Sequence, residues 1–110
     1  MANKSIVTQR EQNRLVIRLR ERFDSQDNKN FQSAYQNQKD VESYWIDFQD
    51  VDFMDSSALG MLLILRSWAG FEKADITLFN IKKPILDLFS VSQFHKLFKI
   101  ENLTNEDEED

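Results

Sequence analysis

Residues Asp52 to Gly60 read Asp-Phe-Met-Asp-Ser-Ser-Ala-Leu-Gly, and this stretch obliges the chain to pass from a strand straight into a helix. Before it, Tyr44–Phe48 is a β-branched and aromatic run and Val51–Met54 a second short extended stretch, both typical of strand. After it the chain is rich in Leu and Met, with neither Pro nor Gly between Gly60 and Gly70. Asp55 and Ser56 are both strong N-cap types, so a helix should begin close to Ser56. A serine is then presented where the first-turn N–H groups lack partners and the helix dipole favours negative charge, a setting suited to a phosphate or another anionic group. The same residues also fit a plain helix cap.

The chain has 110 residues, enough for one domain with a hydrophobic core but not for a separate substrate domain. It contains no cysteine, which excludes disulfides, thiolate metal sites and a cysteine nucleophile. His95 is the single histidine. A histidine-rich metal site is therefore excluded, and a Ser-His pair would require His95 to meet Ser56; His95 reads as a polar residue of the last helix. No metal ligand set and no cofactor site is expected. The chain shows neither a membrane-spanning apolar stretch nor a signal-peptide block at Met1–Arg10, so a cytoplasmic location without membrane insertion is expected.

The formal net charge is -5, yet residues 101–110 hold six acids and no Lys or Arg, so residues 1–100 sit near +1. The expected division is one domain over residues 1–100 and an acidic, disordered tail over residues 101–110. Clustered cations of the kind that bind phosphate backbones are not evident. Arg10, Arg14, Arg18, Arg20 and Arg22 read as the polar side of a hairpin and its exit, and no direct nucleic-acid partner is expected.

Ser5–Gln9 and Leu15–Leu19 read as a hairpin around a turn at Arg10–Asn13, with Leu15, Ile17 and Leu19 alternating onto one face. Asp27–Lys39 is a short, marginal helix whose Phe31, Ala34, Tyr35 and Gln38 share a stripe. The serine turn leads into a helix over Ser57–Ala69 that Gly70 ends, then a strand over Ile76–Ile81. Pro84 suits the first turn of a last helix in which Ile85, Leu88 and Phe89 share a face, and Phe94–Ile100 is a further apolar stretch. The order predicts an α/β fold, a mixed sheet of about four to five strands with helices packed on it.

The helix after the serines is apolar on two sides. At about 100° per residue, Leu59, Leu62 and Leu63 form one arc and Met61, Ile64, Leu65 and Trp68 another. One sheet can bury only one arc fully, so the other meets either a neighbouring helix or a partner; Met61 and Trp68 are adaptable contact residues.

The stretch Val51–Gly60, with Asp-Ser-Ser-Ala-Leu-Gly at its centre, resembles the signature of STAS domains, in particular the stand-alone anti-sigma-factor antagonists of bacteria. Leu15–Asp24 resembles their second strand and acidic loop, and Pro84–Phe98 their closing helical segment. The resemblance implies phosphorylation of Ser56, with Asp55 and Ser57 flanking it and Asp24 as the acidic loop residue, and it makes the Leu59, Leu62 and Leu63 arc the core side. It departs from the family at Ala58 and Glu21, where Gly is usual, and in a shorter segment between Asp24 and Tyr44. The implied partners are an ATP-dependent serine kinase that doubles as an anti-sigma factor and a serine phosphatase, the domain itself being no enzyme. The same fold could serve as an accessory subunit of a transporter without phosphate control. A serine hydrolase would need a base and an elbow that the surroundings of Ser56 do not supply. A receiver domain would need an acidic pair and a late lysine that are not evident.

Overall fold

The computed structural model describes residues 6–102. Strands β1 (Val7–Glu11) and β2 (Arg14–Arg18) form an antiparallel hairpin, and β2 continues in parallel to β4 (Ser43–Asp47), β6 (Ile76–Phe79) and β7 (Lys99–Glu101). The resulting mixed sheet has five strands in the order β1-β2-β4-β6-β7, and a separate two-stranded parallel ladder pairs β3 (Arg22–Phe23) with β5 (Phe53–Met54). The predicted mixed sheet with packed helices is thus the observed one.

The pleat divides the sheet. Leu15 and Ile17, Tyr44 and Ile46, Ile76 and Leu78 lie on one face and are buried, as period-two alternation requires. Helices α1 (Asn28–Gln36), α2 (Ser56–Trp68) and α3 (Lys83–Val91) cover this face: Tyr35 of α1 lies 5.9 Å from Trp68 of α2, and Phe89 of α3 packs edge-on at 5.4 Å against Phe48. The opposite face carries Arg14 over the Trp45 ring at 4.5 Å and the Trp45–Phe79 pair at 5.4 Å. At its far edge, past β6, the Asn102 side chain accepts from Ile81 N at 2.6 Å and donates to Ile81 O at 2.9 Å, as a further ladder rung would.

The first strand runs two residues later than expected, Val7–Glu11 instead of Ser5–Gln9, and the second one residue earlier, Arg14–Arg18 instead of Leu15–Leu19. Its turn is Gln12–Asn13, with Gln12 at φ 58, and Arg10 stays in the strand, where its guanidinium bonds Gln12 O at 2.6 Å and reaches Gln38 and Asp40. All five residues of β1 are exposed, so no apolar alternation marked its register. Of the extended stretch Val51–Met54, only Phe53 and Met54 pair. Pro84 falls in the first turn of α3 as predicted, whereas His95 lies on an exposed 3-10 turn after α3 rather than within the helix. Glu101, assigned by sequence to the tail, ends β7; the rest of that acidic run, residues 103–110, lies outside the described residues.

The largest correction concerns α2. Its buried residues are Ala58, Met61, Leu62 and Leu65, while Leu63 is 41% exposed and Leu59 half-buried. The core stripe is rotated by about one residue step, roughly 100°, from the arc centred on Leu59, Leu62 and Leu63. The small Ala58 can sit against the sheet at the first turn, which brings Met61 and Leu65 down one and two turns later. Met61 and Leu65 are 5% and 0% exposed, so neither can form a partner surface. Ile64 and Trp68 remain outward.

Candidate functional site

The β3–β5 ladder holds the serine turn. Glu21 O accepts from Asp52 N at 2.8 Å and from Phe53 N at 3.2 Å, and the register pairs Arg22 with Phe53 and Phe23 with Met54. Two parallel strands lie about 4.8 Å apart, so the residues that leave the ladder together, Asp24 and Asp55, are neighbours. Phe23, Val51 and Met54 are buried beneath the ladder, and Arg22 lies 4.2 Å over the exposed Phe53 ring. On the other flank Lys82 bonds Asp52 at 2.5 Å.

Of the two cap candidates, the structure selects Asp55. Its backbone is extended, with φ -117 and ψ -177, and its carboxylate accepts from Ala58 N at 3.1 Å. Ser56 is therefore the first helical residue instead of the cap. Its side chain is exposed, and among the described residues its hydroxyl takes part in no hydrogen bond. Ser57 is exposed beside it. Gly60, Leu63, Ile64 and Ser67 continue the outward side of α2, so the serine heads a partly apolar strip. Gly60 has open space around its missing Cβ.

Asp24, which follows the ladder residue Phe23, is buried and occupied. Its carboxylate accepts from Gln26 N at 3.0 Å and lies 3.6 Å from Arg22 Nε, and its own N–H donates to Asp27 Oδ2 at 3.2 Å. Asp24 and Asp27 form a reciprocal capping box around the turn Ser25–Asp27, and Asp27 Oδ1 accepts from Arg20 Nε at 2.6 Å. That hydrogen bond holds the Arg20 guanidinium above its ordinary pKa; partial burial opposes it, and the charges of Asp27, Asp24 and Glu21 reinforce it. Arg20 and Asp27 escaped sequence reasoning, although Asp-x-x-Asp ahead of a helix is a variant of the capping-box pattern.

Among the described residues no side chain bonds the Ser56 hydroxyl. His95 lines an apolar hollow with Leu86, Phe89, Ser90 and Ile100, between α3 and β7, and makes no bond to the serine. Among the described residues no cluster of three or more His, Cys, Asp or Glu could hold a metal ion. No helix of the described residues is long and apolar enough to cross a membrane.

A mixed sheet covered on one face by helices, with a serine exposed at the start of the second helix after an acidic turn, makes this an α/β domain. The STAS-domain family model matches residues 5–107, and the chain belongs to that family. It is 39% identical over 87 residues to a STAS-domain containing protein of Pseudomonas aeruginosa strain UCBPP-PA14, covering 78% of this chain and 86% of the relative. An anti-sigma-factor antagonist domain protein of Planctomyces limnophilus superposes with a TM-score of 0.76 at 18% identity, over 96% of this chain and 95% of that one. The anti-sigma factor antagonist SpoIIAA in its unphosphorylated form gives 0.65 at 22%, over 93% and 92%, and in its phosphorylated form 0.58 at 22%, over 88% and 91%. A sulfate transporter family protein of Wolinella succinogenes gives 0.70 at 6%, over 84% and 80%.

Proposed function

We propose that this chain is a protein-binding regulator whose partner contact is switched by phosphorylation of Ser56. One observation carries the reading: Asp55 supplies the cap, which leaves the Ser56 hydroxyl exposed and unbonded at the head of the strip that continues through Gly60, Leu63 and Ile64. A fold shared with SpoIIAA, known in phosphorylated and unphosphorylated forms, supports it. In this reading the unmodified strip docks a cytoplasmic serine kinase that doubles as an anti-sigma factor or a related regulator, and releases that regulator's own target. Phosphorylation adds about -1.5 to -2 charges beside Asp55, and repulsion and desolvation oppose rebinding. The unpaired N–H groups of the first turn accommodate the phosphate, so the fold survives the switch. The kinase contributes ATP, Mg²⁺ and the base, a separate serine phosphatase removes the phosphate, and the domain itself does no chemistry.

Incubation with ATP and a kinase encoded beside the gene, followed by intact-mass measurement, tests the reading. The expected result is one phosphate on the wild type and on Ser57→Ala and none on Ser56→Ala; modification that survives Ser56→Ala refutes the assignment. The fold shared with a sulfate transporter family protein favours a second reading, an accessory transporter subunit without phosphate control. Equal partner affinity for wild type, Ser56→Ala, Ser56→Asp and phosphorylated protein would select it.

A further inference from the structure

We propose that α1 is a segment poised to open, and that the Asp24–Asp27–Arg20 anchor couples its opening to the charge on Ser56; the coupling rests on the phosphorylation reading above. Three observations bear on how α1 is held. It has nine residues, short enough to depend on packing for its existence. Its N-cap residue, Asp27, gives it no side-chain cap, because both carboxylate oxygens are engaged elsewhere, one by Arg20 Nε and the other by Asp24 N. It buries only Phe31 and Tyr35, and the Tyr35 hydroxyl is enclosed without a hydrogen-bond partner. Opening would return that hydroxyl to water, so one of the two side chains that hold the helix down also favours its release.

The route from the serine is continuous. Asp24 leaves the β3–β5 ladder next to Asp55, one residue before Ser56, and it organises the turn that precedes α1 through the capping box. A phosphate on Ser56 sets a dianion beside the Asp24 carboxylate and offers Arg22, and Arg20 behind it, a stronger acceptor than the one each now holds. Either change loosens the box that holds the turn leading into α1. From Phe23, the contact runs on through Phe31 at 5.1 Å, Tyr35 at 5.4 Å and Trp68 at 5.9 Å. Opening of α1 therefore uncovers one side of Trp68, at the end of α2 farthest from the serine.

Hydrogen exchange read by mass spectrometry tests this on the full chain carrying phosphoserine installed at position 56 during translation, so that no kinase is needed. Amides of residues 28–36 are expected to exchange about tenfold faster than in the unmodified chain, with β4 and β6 unchanged. Exchange in α1 unchanged within about twofold, or an acceleration shared equally by the sheet, overturns the proposal whether or not a kinase modifies Ser56. Two variants of the unmodified chain examine the device itself. Tyr35→Phe should slow exchange in α1 and Asp27→Asn should speed it there; the reverse order overturns the poised-helix argument, and should Asp27→Asn fail to fold, the phosphoserine comparison decides alone. Intact mass after kinase treatment separately judges the phosphorylation reading.

Discussion

Replacing Asp55 and replacing Ser56, adjacent residues of the same turn, should have very unequal consequences for stability. Asp55→Ala removes the carboxylate that accepts from Ala58 N at 3.1 Å and leaves that first-turn donor without its side-chain partner. Loss of such a cap costs about 0.5–2 kcal/mol, typically ~1, and loss of a negative charge at the helix N-terminus a further 0.3–1 or so. Together they amount to about 1–2 kcal/mol, a fall in Tm of roughly 5–15 °C for a domain of this size. Ser56→Ala removes a hydroxyl that bonds nothing among the described residues and installs the best helix former, so its effect should stay within about 0.5 kcal/mol of zero. Urea titrations followed by circular dichroism at neutral pH measure both. A Ser56→Ala loss equal to or larger than the Asp55→Ala loss would mean that the serine is the cap, and the argument for a free hydroxyl would collapse.

Tyr35→Phe keeps the ring contacts and deletes the enclosed hydroxyl that has no partner, so it should stabilise the protein by about 1 kcal/mol in the same titration; destabilisation would show that the hydroxyl is satisfied. Burial raises the pKa of Tyr35 above 10, and burial likewise raises that of Tyr44 against an opposing hydrogen bond from Trp68. Both phenols are neutral in the fold where the unfolded chain would already ionise, so their share of stability is complete below pH 10 and is lost as pH climbs from 10 through the folded values. Denaturation midpoints at pH 9 and 11 should show this fall, and Tyr35→Phe should fall less. On α2, Leu63→Asp should leave the Tm nearly unchanged but weaken partner binding in calorimetry, whereas Met61→Asp should prevent folding; a folded Met61→Asp variant would contradict the position of the helix face.

The sequence made the ends of elements more visible than their faces. Asp55, Gly70 and Pro84 are local signals that act through backbone geometry, and each marks the boundary it foretold: cap, left-handed residue at φ 115 and first-turn proline. Phe31 and Tyr35 stood out because an otherwise polar helix has only one stripe to bury. In α2, by contrast, Leu or Met occupies almost every direction, and Ala58, the smallest residue of the core stripe, carries little weight in a hydrophobic pattern although it lets the helix lie close. Asp24 could be placed near Ser56 only by resemblance. The two-residue ladder that brings it there is too short to have a periodicity, and the Arg20–Asp27 bond joins residues seven apart, on either side of β3.

The last strand is finished by a side chain. Where another rung of backbone would close the edge, the carboxamide of Asn102 both accepts from and donates to Ile81, so this rung is chemically perishable in a way that peptide pairing is not. Hydrolysis of that one amide would replace its donor with a carboxylate oxygen facing the Ile81 carbonyl and turn attraction into repulsion. The strand would then lose its last rung while keeping the backbone pairing of Lys99, Ile100 and Glu101 with β6.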